Sequence, residues 1–289
     1  MILTKLGLYE KALHDDLTLE QKVLLAKTAK FDFLELSIDE SIQRLKRLEW
    51  DDQKWLKLKK FLDQNNFYFN SLCLSAHRKY PLGSTDATIR QKSLTIFQQA
   101  LHICQLLDIK IIQLAGYDVY YETSSAQTKA LFAENLKIIT SLAASANIQL
   151  GIETMDTPFL GTATKVRYYV DLINSPYLQI YPDLGNLFQW TNDPENDLIN
   201  NIDHFLQVHI KATLPNVFRD LAWEQSNVPF IKLLSILAKN GYQKNFLVEM
   251  WAPKNQIFDY QKELERLNYA YQFVSDKLIQ SGYQLCLKT

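Results

Sequence analysis

Glycine and proline are both scarce in this sequence, at eight residues each in a chain of 289. With so few turn-forming residues, no stretch has the composition of a low-complexity linker, and no composition shift marks a second domain. A chain of this length is normal for one large domain. The sequence therefore predicts a single domain that spans residues 1–289.

Cysteine, net charge and long apolar runs are also lacking. Cys73, Cys104 and Cys286 form neither a disulfide framework nor a CxxC metal motif, which fits a reducing cytoplasm. The formal net charge is -1, without a basic stripe, which argues against a nucleic-acid partner. No run approaches the roughly 20 apolar residues of a membrane span, and the N-terminal segment has no apolar signal-peptide core. We therefore expect a cytoplasmic protein without a membrane or nucleic-acid partner.

What the sequence does contain is a series of short β-rich runs, most of them separated by amphipathic helical stretches. Two helices are predicted over residues 131–147 and 228–242, with Gly241 ending the second, and a closing helix over residues 260–280. The eight runs are KLGLY (5–9), FDFLELS (31–37), FYFNSLCLS (67–75), IKIIQLA (109–115), IQLGIE (148–153), LQIYPD (178–183), HFLQVHI (204–210) and NFLVE (245–249).

Eight strand–helix units without a long linker predict an α/β fold, and within that class a (β/α)₈ barrel. The rival architecture is a doubly wound open sheet, which usually has fewer strands and a glycine-rich first turn. The first turn here, LGLYEKAL, contains no GxGxxG motif. The barrel is therefore the predicted fold.

Residues of the metal-ligand type stand at the ends of four consecutive runs, the fifth to the eighth. They are Glu153, Asp183, His209 and Glu249. Barrels of this kind place their active site at the C-terminal ends of the strands. Three carboxylates and one imidazole there would make a mixed oxygen and nitrogen site for Zn²⁺ or Mn²⁺. The ion's charge would also offset the cost of burying Glu249 among apolar neighbours.

Each of these four residues also has a simpler interpretation. A single Glu at a strand end is usually solvated or caps a helix. A lone His in an apolar strand is more often a core residue than a metal ligand. Four such residues in succession at one rim favour a metal site, but their spacing alone leaves both interpretations open.

Other strand ends carry weaker candidates for substrate contacts. The segment CLSAHRKYPLGS places His77 and Arg78 after the third run, where they could contact a sugar hydroxyl and a phosphate. An ordinary polar loop explains that segment equally well. Further residues that could reach a polyol substrate are Tyr9, Glu10, Glu35, Ser37, Gln113 and Asn186.

Several longer motifs carry a family resemblance. GLYEKAL, CLSAHRKYPLGS, IQLAGYDVYY, YPDLGN and VEMW together resemble the L-ribulose-5-phosphate 3-epimerases of ascorbate utilisation. These enzymes have also been called L-xylulose-5-phosphate 3-epimerases or hexulose-6-phosphate isomerases, and they belong to the xylose-isomerase-like barrel superfamily. The similarity runs from about residue 5 to about residue 275.

The resemblance implies a homodimer, a phosphorylated pentulose substrate and a single-metal site. The implied metal ligands fall on Glu153, Asp183, His209 and Glu249. In the implied reaction one carboxylate removes the C3 proton of a 2-ketose, and a second returns a proton on the opposite face. A divalent ion stabilises the enediolate that forms between these steps. Glu153 and Glu249 would be the two carboxylates.

The segment after the seventh run departs from the family pattern. It is HIKATLPNVFRDLAWEQSNVPF, in which Ala212 and Pro229 stand where the family has acidic residues, and WEQSNVP replaces a turn with two glycines. Glycines would permit positive φ and close backbone approach to a ligand. Lys211 and Arg219 remain as candidate anion contacts. We hypothesise that the change alters substrate preference or reduces activity.

Three other functions compete with the epimerase. A sugar-phosphate isomerase is one, but aldose–ketose isomerisation by hydride shift commonly uses two metals and more acidic ligands, and only one set of four is evident here. A DNA-repair endonuclease would need a richer histidine cluster and a basic face, whereas this chain has five histidines and a net charge of -1. A sugar-phosphate-binding paralogue that kept the ion but lost turnover is supported by the altered segment alone. The epimerase is therefore the predicted function.

Overall fold

Eight parallel strands form a barrel in the computed structural model of the chain, which describes residues 1–254 and 256–286. Each strand lies within the run that predicted it, so the predicted (β/α)₈ fold class is confirmed. We number the barrel strands first to eighth in chain order: Leu6–Tyr9, Leu34–Ser37, Phe69–Leu74, Ile111–Ala115, Gln149–Glu153, Leu178–Tyr181, Val208–Ile210 and Phe246–Val248.

The barrel closes at a seam between the sixth and seventh strands. A continuous ladder joins the first six strands in order, and the first strand also pairs with the eighth, which pairs with the seventh. At the seam, isolated bridges join Ile180 to Phe205 and Asp183 to His209. Two of the predicted metal ligands therefore lie where the barrel closes.

Helices cover the outside of the barrel. The predicted helices over 131–147, 228–242 and 260–280 are confirmed, and Gly241 follows the end of the second with a left-handed φ of 80°. Within the described residues, no helix has the length and apolar character that crossing a membrane requires. The helices are Leu19–Thr28, Ile42–Leu45, Asp52–Gln64, Ala87–Leu107, Ala126–Ser145, Ala163–Ile173, Leu184–Trp190, Pro194–Ile199, Phe230–Lys239 and Tyr260–Gln280.

Polar side chains begin most of these helices. Thr18 accepts a hydrogen bond from the backbone N–H of Gln21, and the Gln21 side chain accepts one from the backbone N–H of Thr18. This reciprocal capping satisfies donors that the first helical turn leaves unpaired. Single side-chain caps begin other helices, at Ser41, Asp51, Asp86, Thr162, Asp193 and Asp259.

Two short strands lie outside the barrel and were not predicted. Ile2–Thr4 pairs in parallel with Tyr283–Leu285, so that Ile2 stands opposite Tyr283. One precedes the first strand–helix unit and the other follows the closing helix, so both lie outside the repeat from which the eight runs were recognised. Tyr283 is fully buried, and its ring packs edge to face against Phe246 of the eighth strand. The pair thus anchors the chain after the closing helix.

The two faces of the barrel strands have different environments. Leucine, isoleucine and valine side chains fill the layer between strands and helices, including Leu8, Leu36 and Leu72. Alternate residues point inward, and several of these are polar. Glu35, Ser71 and Tyr181, from three different strands, hydrogen-bond to one another and are fully buried. The barrel interior is therefore partly polar beneath its C-terminal rim.

An ion cluster fixes the chain after the first strand. The Glu10 carboxylate is fully buried and lies 2.6 Å and 2.7 Å from the two terminal nitrogens of Arg47, and 3.0 Å from the Lys22 ammonium. It also accepts a hydrogen bond from the backbone N–H of Ser37. Burial opposes ionisation of Glu10, but Arg47 and Lys22 outweigh it and hold the pKa well below its usual range. The structure thus pairs Glu10 with cations, and it does not present this carboxylate to a polyol.

We predict that Arg47→Met lowers the free energy of unfolding by about 3–5 kcal/mol, because it leaves the Glu10 carboxylate buried with too few partners. Urea unfolding at neutral pH measures the loss. Lys59→Met is the matched control, since Lys59 pairs with Asp63 at the surface. Its loss should stay within about 1 kcal/mol. Equal losses in the two variants would show that the buried cluster contributes nothing special.

Candidate active site

The four predicted metal ligands converge at the C-terminal end of the barrel. One oxygen or nitrogen atom from each residue lies within 4.8 Å of the corresponding atoms of the others, and all four residues are buried. This cluster could hold a metal ion. Its members come from four consecutive strands: Glu153 ends the fifth, Asp183 follows the sixth, His209 lies in the seventh and Glu249 follows the eighth.

Asp183 is held by the turn that begins the helix Leu184–Trp190. Its backbone N–H donates to the Thr154 hydroxyl at 2.8 Å, and its Oδ1 accepts from the backbone N–H of Asn186 at 2.6 Å. The other oxygen, Oδ2, is buried and has no hydrogen-bond partner among the residues that the structure describes. One carboxylate oxygen is therefore committed to the turn, while the second remains free for a ligand.

Gly185 permits this turn to approach the seventh strand. A Cβ atom at this position would lie 2.5 Å from the backbone oxygen of Lys211 and 2.9 Å from a methyl carbon of Thr213. Real side chains do not tolerate contacts that close to backbone, so only glycine fits without a shift. The YPDLGN segment thus combines a carboxylate with the glycine that lets it sit beside the seventh strand.

His209 is held on both sides. Its Nδ1 lies 2.9 Å from Oε1 of Glu153, and its Nε2 lies 3.0 Å from Oε1 of Glu35. The Tyr181 ring meets the imidazole edge to face, with centroids 4.8 Å apart. Burial alone would lower the pKa of His209, but the two flanking carboxylates raise it well above its usual range.

Lys211 supplies a second positive charge within the cluster. Its ammonium lies 2.9 Å from Oε2 of Glu249 and 3.7 Å from Oδ2 of Asp183, and the residue is 5% exposed. Its pKa is raised above the usual value, because the attraction of Asp183 and Glu249 outweighs the cost of burial. The sequence predicts Lys211 only as an anion contact, so its proximity to two carboxylates is a finding of the structure.

The three carboxylates respond differently to this crowding. Burial raises the pKa of Asp183 to about 7, against the opposing pull of Lys211. Burial and the charge of Glu249 raise the pKa of Glu153. Burial acts in the same direction on Glu249, but Lys211 and His209 outweigh it and lower its pKa to about 2. His209 and Lys211 therefore favour the ionised form of Glu249, but they do not offset the effect of burial on Asp183.

The donor set fits a divalent ion. Three carboxylates and one imidazole are a donor set that suits Zn²⁺ or Mn²⁺. Ca²⁺ sites use oxygen ligands alone, and structural zinc sites are rich in cysteine. The free Oδ2 of Asp183 is a buried acceptor that a cation would satisfy. An added positive charge would also favour the ionised form of all three acids.

Four of the predicted substrate contacts lie on one narrow cleft above this cluster. They are Tyr9, Arg78, Lys211 and Arg219, and the cleft also includes Glu153 and Glu249. Several cleft residues were not predicted, because they lie at or just after strand ends without any distinctive spacing. They are Lys11, Cys73, Ser75, Ala115, Met155 and Asp156. Trp251, which follows the eighth strand, also lines the cleft.

Two other predicted substrate contacts, Asn186 and His77, face away from the cleft. Asn186 is fully buried, and its amide donates to the backbone oxygen of Thr154 at 2.8 Å. It therefore supports the turn that carries Asp183. The His77 ring is buried against the helix Ala87–Leu107, with Nε2 3.3 Å from the backbone oxygen of Ser93. Neither residue lines the cleft, so the structure offers no support for their predicted contact with substrate.

The segment that departs from the family pattern borders a second cavity of about 390 Å³. Lys211 and Glu249 line both this cavity and the cleft, so the two spaces adjoin. Trp223 packs against Phe273 at 5.3 Å between ring centroids. The segment is thus anchored by an aromatic contact. Its residues on the cavity wall are Ala212 and residues 220–224, opposite Met250 and Trp251.

The placement of His77 predicts a pH effect on stability. Burial lowers the pKa of His77 from its usual 6.5 to about 4. Between pH 6.5 and pH 4 the unfolded chain binds a proton at His77 that the folded chain does not. The unfolding free energy is therefore unaffected by titration of His77 above pH 6.5 and falls as the pH drops towards 4. Between pH 7 and pH 4.5, we expect wild type to lose about 2–3 kcal/mol more unfolding free energy than His77→Gln.

Urea unfolding of both proteins at the two pH values measures this difference. An identical pH dependence would rule out a neutral buried imidazole. The same variant tests the predicted substrate contact, because His77→Gln should leave KM unchanged if the ring faces the helix.

Comparison with known proteins places the chain among its relatives. The family model described as the xylose isomerase-like TIM barrel matches residues 23–270. A Haemophilus influenzae protein with the provisional name L-ribulose-5-phosphate 3-epimerase SgbU is 42% identical over 258 residues, covering 87% of this chain and 90% of its own. The L-ribulose-5-phosphate 3-epimerase UlaE of Escherichia coli is 39% identical over 247 residues, covering 86% and 87% respectively.

Solved structures share the fold at lower identity. A structure of an L-ribulose 3-epimerase has a TM-score of 0.78 and 14% identity, and the match covers 96% of this chain and 95% of that one. The IolI protein, solved with a bound zinc atom, has a TM-score of 0.75 and 15% identity, with coverage of 96% and 99%. The chain therefore belongs to the xylose isomerase-like TIM barrels and, within them, to the L-ribulose-5-phosphate 3-epimerase family of isomerases.

Proposed function

We propose that this chain catalyses the metal-dependent epimerisation of a ketopentose phosphate at C3, interconverting L-ribulose 5-phosphate and L-xylulose 5-phosphate. The observation that carries the proposal is the buried convergence of Glu153, Asp183, His209 and Glu249 at the barrel rim, in a member of this epimerase family. These four side chains would hold one Zn²⁺ or Mn²⁺. The bound ion would supply Lewis-acid stabilisation of the negative charge that develops on substrate oxygens.

Two carboxylates are available for proton transfer at C3. Glu153 and Glu249 both line the cleft, and they come from strands on either side of the seam. One takes the C3 proton, which leaves an enediolate, and the other returns a proton to the opposite face of C3. The Lys211 ammonium, 2.9 Å from Glu249, keeps that carboxylate ionised and able to accept a proton. Which of the two acts first depends on the direction of reaction.

One amide side chain and one aromatic ring would support this proton transfer. The Gln113 amide donates to Oε2 of Glu153, which orients that carboxylate. The Trp251 ring lines the cleft beside Glu249, and it excludes water from one side of the site. Fewer competing water molecules strengthen the electrostatic interactions of the reacting groups.

The phosphate end of the substrate would meet cations at the cleft mouth. Lys11, Arg78 and Arg219 line the cleft around the cluster. The Arg78 guanidinium lies over the Tyr120 ring at 4.7 Å, and the Arg219 guanidinium lies over the Trp251 ring at 5.3 Å. Planar guanidinium groups held in this way suit recognition of phosphate oxygens.

A second candidate is an enzyme or binding protein with altered specificity, such as a hexulose-6-phosphate isomerase or a paralogue with weakened turnover. The supporting observation is that the segment that departs from the family pattern lines a cavity beside Glu249, through Ala212 and residues 220–224. Family membership also supports a homodimer in a reducing cytoplasm, where Cys73, Cys104 and Cys286 remain free thiols.

Deuterium exchange tests the proposed reaction. In D₂O, with Mn²⁺ or Zn²⁺ added, we expect wild type to interconvert the two pentulose phosphates and to introduce deuterium at C3. A chelator should abolish turnover, and the metal should restore it. Epimerisation without deuterium at C3 would contradict proton transfer. Binding of the sugar phosphate without turnover would favour the binding paralogue, while full turnover would exclude it.

Glu249→Gln tests the role of this carboxylate. The substitution is nearly isosteric, so we expect an unchanged fold and a kcat reduced by about 10²–10⁴-fold, the usual contribution of a general acid or base. Glu224→Gln is the matched control, because Glu224 is exposed and is not a member of the four-residue cluster. Activity near wild type in Glu249→Gln would exclude a catalytic role.

Arg78→Met tests phosphate recognition. We expect KM for L-ribulose 5-phosphate to rise about tenfold or more, because a charge-assisted contact to the phosphate is lost. KM for unphosphorylated L-ribulose should stay the same. Lys79→Met removes the same charge from the neighbouring exposed residue and should change neither value. Equal effects on both sugars would contradict a phosphate contact.

A further inference from the structure

Glu35 lies behind the candidate metal site. It is in the second strand, is fully buried, and is not among the residues that line the cleft. Its Oε1 lies 3.0 Å from Nε2 of His209. Its Oε2 accepts hydrogen bonds from the Ser71 hydroxyl at 2.6 Å and from the Tyr181 hydroxyl at 2.8 Å. Both oxygens are therefore bonded, in directions that point into the barrel.

The pairing of Glu35 with His209 is specific. Within residues 1–254 and 256–286, His209 is the one basic side chain that forms an ion pair with Glu35. A carboxylate buried without a lysine or arginine partner is costly unless its hydrogen bonds are complete. Here the imidazole and two hydroxyl groups provide them. The barrel interior thus holds a carboxyl group whose one basic contact among these residues is a nitrogen of a predicted metal ligand.

The two nitrogens of His209 face different partners. Nε2 meets Glu35, whereas Nδ1 points to Glu153 and so towards the other three members of the cluster. An imidazole that donates Nε2–H to a carboxylate presents the lone pair of Nδ1 when it is neutral. The direction of the ring, as well as its tautomer, therefore follows from the position of Glu35.

Glu35 is itself held by a chain of side chains that crosses the barrel interior. Gln207 donates from its amide nitrogen to the Tyr181 hydroxyl, and Asn70 donates to the Gln207 amide oxygen. With its oxygen already accepting from Gln207, the Tyr181 hydroxyl directs its proton to Glu35. A buried side-chain network of this kind is rigid when every member is hydrogen-bonded.

We propose that Glu35 is a positioning residue for the metal site. It accepts the Nε2 proton of His209 and so presents Nδ1 to a divalent ion. The proposal rests on the metal site put forward under Proposed function. Carboxylate partners of metal-bound histidines commonly change metal affinity by 10–100-fold when removed. Glu35 would act through His209 without touching substrate.

Metal binding to the apo protein tests the proposal directly. We expect Glu35→Gln to weaken Mn²⁺ or Zn²⁺ binding by about 10–100-fold in calorimetric titration. Tyr181→Phe keeps Glu35 but removes one of its hydrogen bonds, so its affinity should fall between wild type and Glu35→Gln. Urea unfolding of each apo protein shows whether the fold is retained.

Asp197→Asn is the matched control for loss of a buried carboxylate. Asp197 accepts from the backbone N–H groups of Ala163 and Thr164 on the outside of the barrel. This variant should lose stability and keep wild-type metal affinity. If Glu35→Gln binds metal as tightly as wild type, the role of Glu35 is excluded while the metal site stands. If wild type itself binds no ion, both proposals fail.

Discussion

Three carboxylates that share one small buried space impose the main constraint on this structure. Each would be costly to bury as a free charge, and their proximity adds mutual repulsion. His209 and Lys211 offset part of this cost, yet Asp183 retains a buried oxygen without a hydrogen bond among the residues described. Such an arrangement persists only where the surrounding backbone holds the acids together, and the ends of four consecutive barrel strands provide that support.

The barrel divides its side chains between two tasks. The layer between strands and helices is apolar and continuous, and it supplies most of the burial that stabilises the fold. The interior beneath the rim is partly polar, with Glu35, Ser71 and Tyr181 bonded across it. Because the apolar layer carries the stability, the interior can be used to orient the side chains that reach the rim.

The sequence predicts the fold well, because each strand is a short β-rich run and the runs recur with helices between them. It also predicts that Glu153, Asp183, His209 and Glu249 converge, since parallel barrel strands bring their C-terminal ends to one rim. The terminal strands escaped prediction, because they lie before and after the strand–helix repeat from which the eight runs were recognised. Position along the chain therefore predicts which end of the barrel a residue occupies, when its strand belongs to that repeat.

Side-chain direction is harder to predict than position. His77 and Arg78 are neighbours in one tight turn, Ser75–Arg78, yet one faces a helix and the other faces the cleft. Glu10 and Lys11 differ in the same way, since the Glu10 carboxylate is committed to Arg47 and Lys22. Likewise, the sequence suggests Glu35 for contact with a polyol, but its carboxyl group lies behind the cleft and contacts His209. These outcomes depend on partners that are distant in sequence.

The four-residue cluster spans the seam between the sixth and seventh strands. Glu153 and Asp183 lie on one side of this seam, and His209 and Glu249 lie on the other. The bridge between Asp183 and His209 is part of the joint itself. Closing the barrel therefore also brings these four residues together. An ion bound by all four residues would link the strands on the two sides of the seam. Its binding free energy would then add to the stability of the closed barrel.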